Sequence, residues 1–210
     1  MRLKTLQKYT DIAVPFENLD GRIDFAHLFG RSGPVHIEIG SGKGTFLLPE
    51  AQAHPEINYL GIEWTSRYYR YAVDRMGRRG MGNVRLIRAD AVELVEDFFP
   101  DASIECFHIY FPDPWPKKHH RKRRFLRDEI LVQLLRCLVP EGFINLATDH
   151  EDYFQQMSDV LNRAFKAGTM EPIDFIRPAG AAADEIVGTN YERKYKKEGR
   201  KTYTLAARKK

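Results

Sequence analysis

Residues 35–44 read Val-His-Ile-Glu-Ile-Gly-Ser-Gly-Lys-Gly, and this stretch decides the fold. Its apolar first half predicts a buried strand over Val35–Gly40, and its glycines predict a turn into a helix beginning at Thr45. Glycine permits left-handed backbone and lets a ligand approach closely. The spacing G-x-G-x-G fits neither the dinucleotide motif G-x-G-x-x-G nor the phosphate-binding frame G-x-x-x-x-G-K. By itself, the turn is also compatible with an ordinary strand-to-helix connection.

Short apolar strands alternate with amphipathic helices beyond this turn, a pattern typical of a doubly wound parallel sheet. The predicted strands are Val35–Gly40, Ile57–Trp64, Val84–Asp90, Ile104–Phe111 and Phe143–Asp149. The predicted helices are Thr45–Ala53, Ser66–Arg78, Ala91–Phe98, Phe125–Leu138 and Glu151–Phe165. Two more strands are predicted at Ile173–Ile176 and Thr202–Ala206, with a mobile loop over residues 177–189. The fold class is therefore α/β.

Composition limits the class of protein. The 210 residues are 43% hydrophobic and 30% charged, which predicts one globular domain with an appended segment. No apolar run is long enough for a membrane helix, and Met1–Thr10 lacks the apolar core of a signal peptide. Cys106 and Cys137 lie in apolar surroundings without a C-x-x-C motif, so we expect neither disulfides nor a bound metal. These features predict a cytoplasmic protein without a membrane partner.

Basic charge is concentrated in two segments. Residues 113–127 and 193–210 contain 16 of the 33 Lys and Arg residues but only 2 of the 29 acidic residues. The rest of the chain is therefore net acidic. Such a distribution indicates a polyanionic partner, most simply a nucleic acid. A solvated charge run is the alternative for either segment taken alone.

Acidic residues stand at the carboxyl ends of three predicted strands, where α/β sheets build their sites. These residues are Glu38, Glu63 and Asp90. Glu63 follows the glycines by about 20 residues, the spacing at which an acid accepts hydrogen bonds from ribose hydroxyls. Asp90 is also a candidate N-cap for the next helix. Three carboxylates favour an adenosine ligand with a cationic arm, because they would repel a diphosphate.

The fourth strand ends in Phe111-Pro112-Asp113-Pro114-Trp115-Pro116, followed by the basic run Lys117–Arg124. Three prolines stiffen this loop, so we expect it to hold Asp113 and Trp115 at the mouth of the crevice. The structural alternative makes Trp115 a core residue and Asp113 a turn residue.

Six segments resemble the bacterial tRNA (guanine-N7-)-methyltransferase family, which belongs to the class I S-adenosylmethionine-dependent enzymes. The segments are EIGSGKG (38–44), GIEW (61–64), RADA (88–91), FPDPWPKKHHRKRR (111–124), ATDHEDY (147–153) and TNYERK (189–194). The resemblance implies a Rossmann-like, seven-stranded, mostly parallel sheet with helices on both faces and an antiparallel last strand. It also implies methylation of the guanine at position 46, in the variable loop of tRNA.

The resemblance implies roles for individual residues. The implied S-adenosyl-L-methionine contacts are Glu38, Gly40, Gly42, Gly44, Glu63, Trp64, Asp90, Ala91 and Asp113, of which Asp113 is also catalytic. The implied substrate contacts are Lys117, Asp149, Thr189, Asn190, Tyr191 and Glu192. The implied RNA contacts are His119, His120, Arg121, Lys122, Arg123 and Arg124, with His119 standing where the family has an arginine. The methyltransferase domain is expected over residues 31–210, after an extension over residues 1–30, in a monomer or homodimer.

The chemistry of guanine suits this set of residues. Guanine N7 has a lone pair and no proton, so methyl transfer needs positioning more than a general base. Asp113, Asp149 or Glu192 could accept from the guanine N1–H and N2–H2 groups, and Trp115, Tyr153 or Tyr191 could stack on the base.

Three alternatives remain open at this stage. They are another RNA methyltransferase, a noncatalytic RNA-binding protein and a nicotinamide dehydrogenase, although the last predicts a different glycine motif. Metal catalysis is the weakest alternative, because the cysteine and histidine residues lack a recognised ligand spacing.

Overall fold

Eight strands form one sheet in the computed structural model, which describes residues 6–210. They are β1 (Ala13–Val14), β2 (Val35–Ile39), β3 (Asn58–Ile62), β4 (Val84–Ile87), β5 (Ile104–Tyr110), β6 (Leu138–Thr148), β7 (Met170–Pro172) and β8 (Tyr203–Lys209). Their spatial order is β1-β4-β3-β2-β5-β6-β8-β7. Neighbours from β1 to β6 are parallel, whereas β8 is antiparallel to both β6 and β7. The expected antiparallel last strand is confirmed.

The strand count differs from the expected seven because of β1. Ala13 and Val14 pair with Leu86 and Ile87 of β4, at the edge of the sheet. A two-residue strand has no alternating pattern, so the sequence gives no signal for it. The domain boundary at residue 30 stays a prediction, although this strand belongs to the same sheet as the rest of the chain.

Helices cover both faces of the sheet. They are α1 (Phe25–Phe29), α2 (Leu47–Ala53), α3 (Ser66–Gly77), α4 (Ala91–Glu93), α5 (Asp128–Cys137), α6 (Glu151–Lys166) and α7 (Asn190–Lys197). A π-helical turn over Leu94–Phe98 extends α4. Ile37 and Phe107 share an apolar cluster with residues of α1, α5 and α6, whereas Tyr59 and Leu86 share another with residues of α2 and α3. Because side chains alternate along a strand, each cluster fills one face.

The predicted strand Ile173–Ile176 is wrong, since the strand lies three residues earlier, at Met170–Pro172. Ile173 donates one more hydrogen bond to the Ala206 carbonyl, and the chain then leaves β8. The side-chain amide of Asn145 bonds the backbone of Ile176, with 2.7 Å from Asn145 Nδ2 to the carbonyl oxygen and 3.3 Å from Ile176 N to Oδ1. The Asn145 side chain therefore supplies the hydrogen bonds that a neighbouring strand would otherwise provide to Ile176.

Over residues 6–210, no helix is both long and apolar enough to cross a bilayer.

Gly61 provides a test of packing in β3. A Cβ atom at this position would lie 2.5 Å from Leu47 Cδ1 and 2.7 Å from Leu86 Cδ2. We expect Gly61→Ala to lower the free energy of unfolding by about 1–3 kcal/mol, the usual cost of overpacking. Gly82→Ala is the control, because a Cβ at Gly82 meets nothing within 4 Å. Urea denaturation measures both, and equal stabilities would contradict this account.

Candidate active site

The carboxyl ends of β2 to β5 surround two adjoining cavities. One has a volume of about 420 Å³, and the predicted site residues lining it are Gly40, Glu63, Trp64, Asp90, Ala91, Asp113, Arg123, Asp149 and Tyr191. The other has a volume of about 230 Å³ and is lined by Glu38, Gly40, Gly42, Thr189, Asn190 and Tyr191, among others. Gly40, Tyr68, Tyr110 and Tyr191 line both cavities. The sheet order explains the location, because β2 lies between β3 and β5, where the direction of winding reverses.

The glycine turn and Glu63 form one hydrogen-bonded unit. Gly40, Gly42 and Gly44 all have left-handed backbone, with φ of 78°, 55° and 64°. Glu63 Oε2 accepts from the Gly42 N–H at 2.8 Å, and Oε1 accepts from the Thr65 N–H at 2.6 Å. A carboxylate oxygen has two lone pairs, so each oxygen can still accept from a ligand hydroxyl.

Gly44 lies outside both cavities. A Cβ atom on it would stand 2.6 Å from Met76 Cε, so this glycine allows the turn to pack closely on α3. Gly44 therefore shapes the turn through packing.

Glu38 has a buried oxygen without a partner. Its side chain is 3% exposed, and neither Oε2 nor the nearby Ser41 Oγ has a hydrogen-bond partner among residues 6–210. Burial, and secondarily the charge of Glu63, raises the pKa of Glu38 well above its usual value. A buried carboxyl group that lines a cavity and has an oxygen without a partner suits a ligand with a cationic group.

Asp90 has a structural role and also faces the cavity. Its Oδ1 accepts from the Val92 N–H at 2.8 Å, which makes Asp90 the N-cap of α4. The same residue lines the larger cavity together with Ala91. The two interpretations of Asp90 from the sequence are therefore compatible.

The proline loop holds Asp113 at the cavity in an unusual backbone conformation. Phe111 and Trp115 have positive φ values of 52° and 40°, which cost free energy for residues other than glycine. The guanidinium of Arg123 stacks on the Trp115 ring at 4.9 Å. Asp113 is exposed and forms no hydrogen bond or ion pair with any residue from 6 to 210. Its carboxylate is therefore available to a ligand.

Glu192 has a different role from the predicted contact with guanine. Its carboxylate accepts from the backbone N–H groups of Ile186, Val187 and Gly188 at 2.5, 2.9 and 2.7 Å. Thr189 Oγ1 accepts from the Glu192 N–H, so Thr-x-x-Glu is a helix-capping pattern at the start of α7. Glu192 shapes the loop before α7, and it is buried and lines neither cavity.

Asp149 and Lys117 differ in their access to the cavity. Asp149 lines the larger cavity, and its Oδ2 accepts from Arg200 Nη1 at 2.6 Å. Lys117 is exposed and lines neither cavity.

Arg124 is not available for the predicted RNA contact because it is 1% exposed. It donates to the Pro114 carbonyl at 2.7 Å, to Gln156 Oε1 at 2.8 Å and to Asp152 Oδ2 at 2.5 Å. Arg121 pairs with the other oxygen of Asp152 at 2.8 Å. The exposed residues of the run are Lys117, Lys118, His119, Arg121, Lys122 and Arg123, whereas His120 is half-buried.

Sequence reasoning missed several tyrosines of the site. Tyr110 is the last residue of β5, so the rule used for the acidic residues would also have found it. Tyr68 lies in the first turns of α3, just beyond Glu63, and Tyr195 lies on α7. Aromatic residues on helices have no distinctive spacing, and their position at the cavity depends on the packing of the helices.

Comparison with known proteins identifies the family. Residues 32–205 match the family model described as "Putative methyltransferase". The chain belongs to this methyltransferase family. It is 37% identical over 188 residues to a tRNA (guanine-N(7)-)-methyltransferase from Alkalilimnicola ehrlichii, covering 89% of this chain and 77% of that protein. It is 38% identical over 189 residues to the same-named protein from Halorhodospira halophila, covering 90% and 80%.

Solved structures support the methyltransferase fold. The structure of a 30S ribosomal A1408 methyltransferase from an uncultured bacterium superposes with a TM-score of 0.62 at 12% identity, covering 89% of this chain and 93% of that one. A SAM-dependent methyltransferase from Aquifex aeolicus has a TM-score of 0.55 at 13% identity, covering 85% and 84%.

Arg124 gives a prediction that separates a buried, structural residue of the basic run from an exposed one. We expect Arg124→Gln to lower the free energy of unfolding by about 2–4 kcal/mol, because it removes charged hydrogen bonds from a buried position. The control is Lys122→Gln in the same run, which is exposed and should change stability by less than about 0.5 kcal/mol. Chemical denaturation measures both. If Arg124→Gln folds as stably as wild type, the buried network has no structural role.

Proposed function

We propose that this protein transfers a methyl group from S-adenosyl-L-methionine to N7 of a guanine in tRNA, at position 46 of the variable loop. The observation that carries the proposal is the pair of connected cavities with an unpartnered carboxylate in each. Glu38 has a buried free oxygen in one cavity, and Asp113 faces the other. The relatives named tRNA (guanine-N(7)-)-methyltransferase give the same reaction class. The expected setting is the cytoplasm, as a monomer or homodimer.

The residues of the two cavities fit the methyl donor. S-Adenosyl-L-methionine supplies an electrophilic methyl group on a sulfonium, and it leaves as S-adenosyl-L-homocysteine. Glu38 would accept from its ammonium group, since the free Oε2 requires a donor and the raised pKa falls when a cation approaches. Glu63, already oriented by two backbone N–H groups, would accept from the ribose hydroxyls. Asp90 and Ala91 would border the adenine.

The guanine needs orientation more than proton transfer. Asp113 can accept from the guanine N1–H and N2–H2 groups, and its negative charge stabilises the cation that forms when N7 is methylated. Asp149 is the second acidic residue at the cavity that could read this edge. Tyr191, which is 39% exposed, and Trp115 can stack on the base, whereas Tyr153 is fully buried with its hydroxyl bonded to the Leu126 N–H.

The alternative of a noncatalytic RNA-binding protein accounts for fewer observations. It gives no reason for an unpaired Glu38 oxygen, which burial makes costly. Incubation with labelled S-adenosyl-L-methionine and bulk tRNA, followed by nucleoside mapping, separates these possibilities. A product other than 7-methylguanosine would assign another methyltransferase reaction, and no transfer would favour RNA binding alone.

Glu38→Gln should raise stability and weaken cofactor binding. The pKa of Glu38 is higher in the native protein than in the unfolded chain. The contribution of Glu38 to stability is therefore complete below the unfolded-state pKa, and it is lost as the pH rises through the native-state pKa. The ligand-free variant should therefore gain stability over wild type as pH rises from 4.5 to 8.5. Its affinity for S-adenosyl-L-methionine should fall by about 10- to 100-fold, the loss of a hydrogen bond to a charged group.

Thermal unfolding across this pH range and calorimetric titration with the cofactor measure the two effects. Unchanged cofactor affinity would remove Glu38 from the binding site, whatever its effect on stability.

Asp113→Asn tests the catalytic role directly. The substitution keeps the size of the side chain and removes its charge, so folding and tRNA affinity should change little. The single-turnover methylation rate with both substrates saturating should fall about 100- to 1000-fold, comparable to the loss of an oxyanion-hole donor. A rate within about threefold of wild type, less than 1 kcal/mol, would make Asp113 a turn residue. The catalytic role would then move to Asp149.

A further inference from the structure

A third cavity lies beside the active site, between the N-terminal segment and α3. We call it the α3 groove. Its volume is about 1100 Å³, and it is lined by residues 6–10 and 13–18, by Arg88, and by six residues of α3, namely Ser66, Arg67, Tyr69, Arg70, Tyr71 and Val73. We propose that the α3 groove binds the tRNA strand that flanks the methylated guanine. This inference rests on the proposed function.

The groove carries positive charge that is not neutralised by ion pairs among residues 6–210. Its cationic residues are Lys8, Arg67, Arg70 and Arg88, and Glu17 is its acidic residue. None of these four cations forms an ion pair with an acid in the described part of the chain; by comparison, Arg136, Arg163 and Arg208 all do. Arg67, Arg70 and Arg88 are exposed. Unpaired cations lining a concave surface are complementary to a polyanion.

Aromatic rings lie among these cations. Phe16, Tyr69 and Tyr71 line the groove and are half-buried, so each presents part of its ring to the surface. The Phe16 ring is held by an edge contact with Phe98 at 5.3 Å. Proteins bind single-stranded nucleic acid by combining cations along the backbone with aromatic surfaces for the bases. This composition favours an unpaired RNA strand over an acidic protein, which would not need several stacking surfaces.

The groove adjoins the active site. Arg88 Nε donates to the carbonyl of Trp64 at 3.3 Å, and Trp64 lines the active-site cavity with 67% of its surface exposed. On α3, Tyr68 lines the active-site cavities while its neighbour Arg67 lines the groove. Arg123 of the basic run lines the active-site cavity as well, in the loop that follows β5. The cavity therefore lies between two cationic surfaces, so RNA entering it can be held on both sides of the guanine.

The test compares two double variants of the full chain with equal changes in charge. Arg67→Gln with Arg70→Gln alters the groove, and it leaves Arg88 in place because that residue contacts Trp64. The control is Arg163→Gln with Lys166→Gln at the end of α6, where both side chains are exposed and line none of the three cavities. The affinity for tRNA is measured by filter binding at several salt concentrations, with S-adenosyl-L-homocysteine present.

We expect the groove variant to bind tRNA about tenfold more weakly than the control near physiological salt. Its slope of log affinity against log salt should be shallower by about 1 to 2, as expected for the loss of two phosphate contacts. The charge reversal Arg67→Glu with Arg70→Glu should weaken binding further. Calorimetric affinity for S-adenosyl-L-methionine should equal that of wild type in both groove variants, which also shows that they are folded.

Groove variants that bind tRNA like the control, with an unchanged salt slope, would overturn the proposal. Nucleoside mapping of wild-type product in parallel distinguishes this failure from failure of the proposed function. If wild type forms 7-methylguanosine while the groove variants bind normally, only the groove assignment is wrong. If wild type transfers no methyl group to tRNA, the function itself is wrong.

Discussion

The carboxylate of Glu63 joins the two turns on which the site depends. One oxygen holds the glycine turn after β2 through Gly42, and the other holds the start of α3 through Thr65. Because these turns follow adjacent parallel strands, the two hydrogen bonds link the glycine backbone directly to the first helical turn of α3. Tyr68 and Arg67 lie on that turn, so the same interaction sets one wall of the active-site cavity and one wall of the α3 groove.

Several features of the site destabilise the fold, and interactions beside the site stabilise it. Glu38 is buried with an unpaired oxygen, and Phe111 and Trp115 have left-handed backbone, features that each cost on the order of 1–3 kcal/mol. Next to them, Arg124 links the proline loop to α6 through the Pro114 carbonyl, Gln156 and Asp152. A rigid scaffold of this kind is needed to keep Asp113 unpaired, because a flexible loop would allow its carboxylate to find a nearby cation.

Much of this architecture can be predicted from the sequence, because a buried strand is recognisable as an apolar run with a polar residue at its carboxyl end. Glu38, Glu63 and Asp90 were located from strand ends, and the structure brings all three to the two cavities. The sequence predictions fail for residues whose role depends on hydrogen-bond partners elsewhere in the structure. Arg124 has the same charge as its neighbours, but it is buried among partners from elsewhere in the chain, namely the Pro114 carbonyl, Asp152 and Gln156. Glu192 likewise looked like a free acid, although its Thr-x-x-Glu spacing was a capping signal.

The α3 groove shows a limit of charge counting along a chain. Two basic segments stood out, and the remainder was net acidic, yet residues 66–79 contain five arginines and one acid. Charge arithmetic sums over everything outside the two segments, whereas an RNA strand would meet only the residues that one surface presents. Several acids of the remainder are paired internally, as Asp101 and Asp128 are with Arg136 and Arg163, so they do not cancel the potential at α3. The field that an RNA strand meets beside the active site is therefore more positive than the net charge of the chain implies, and it extends along the wall that Glu63 holds in place.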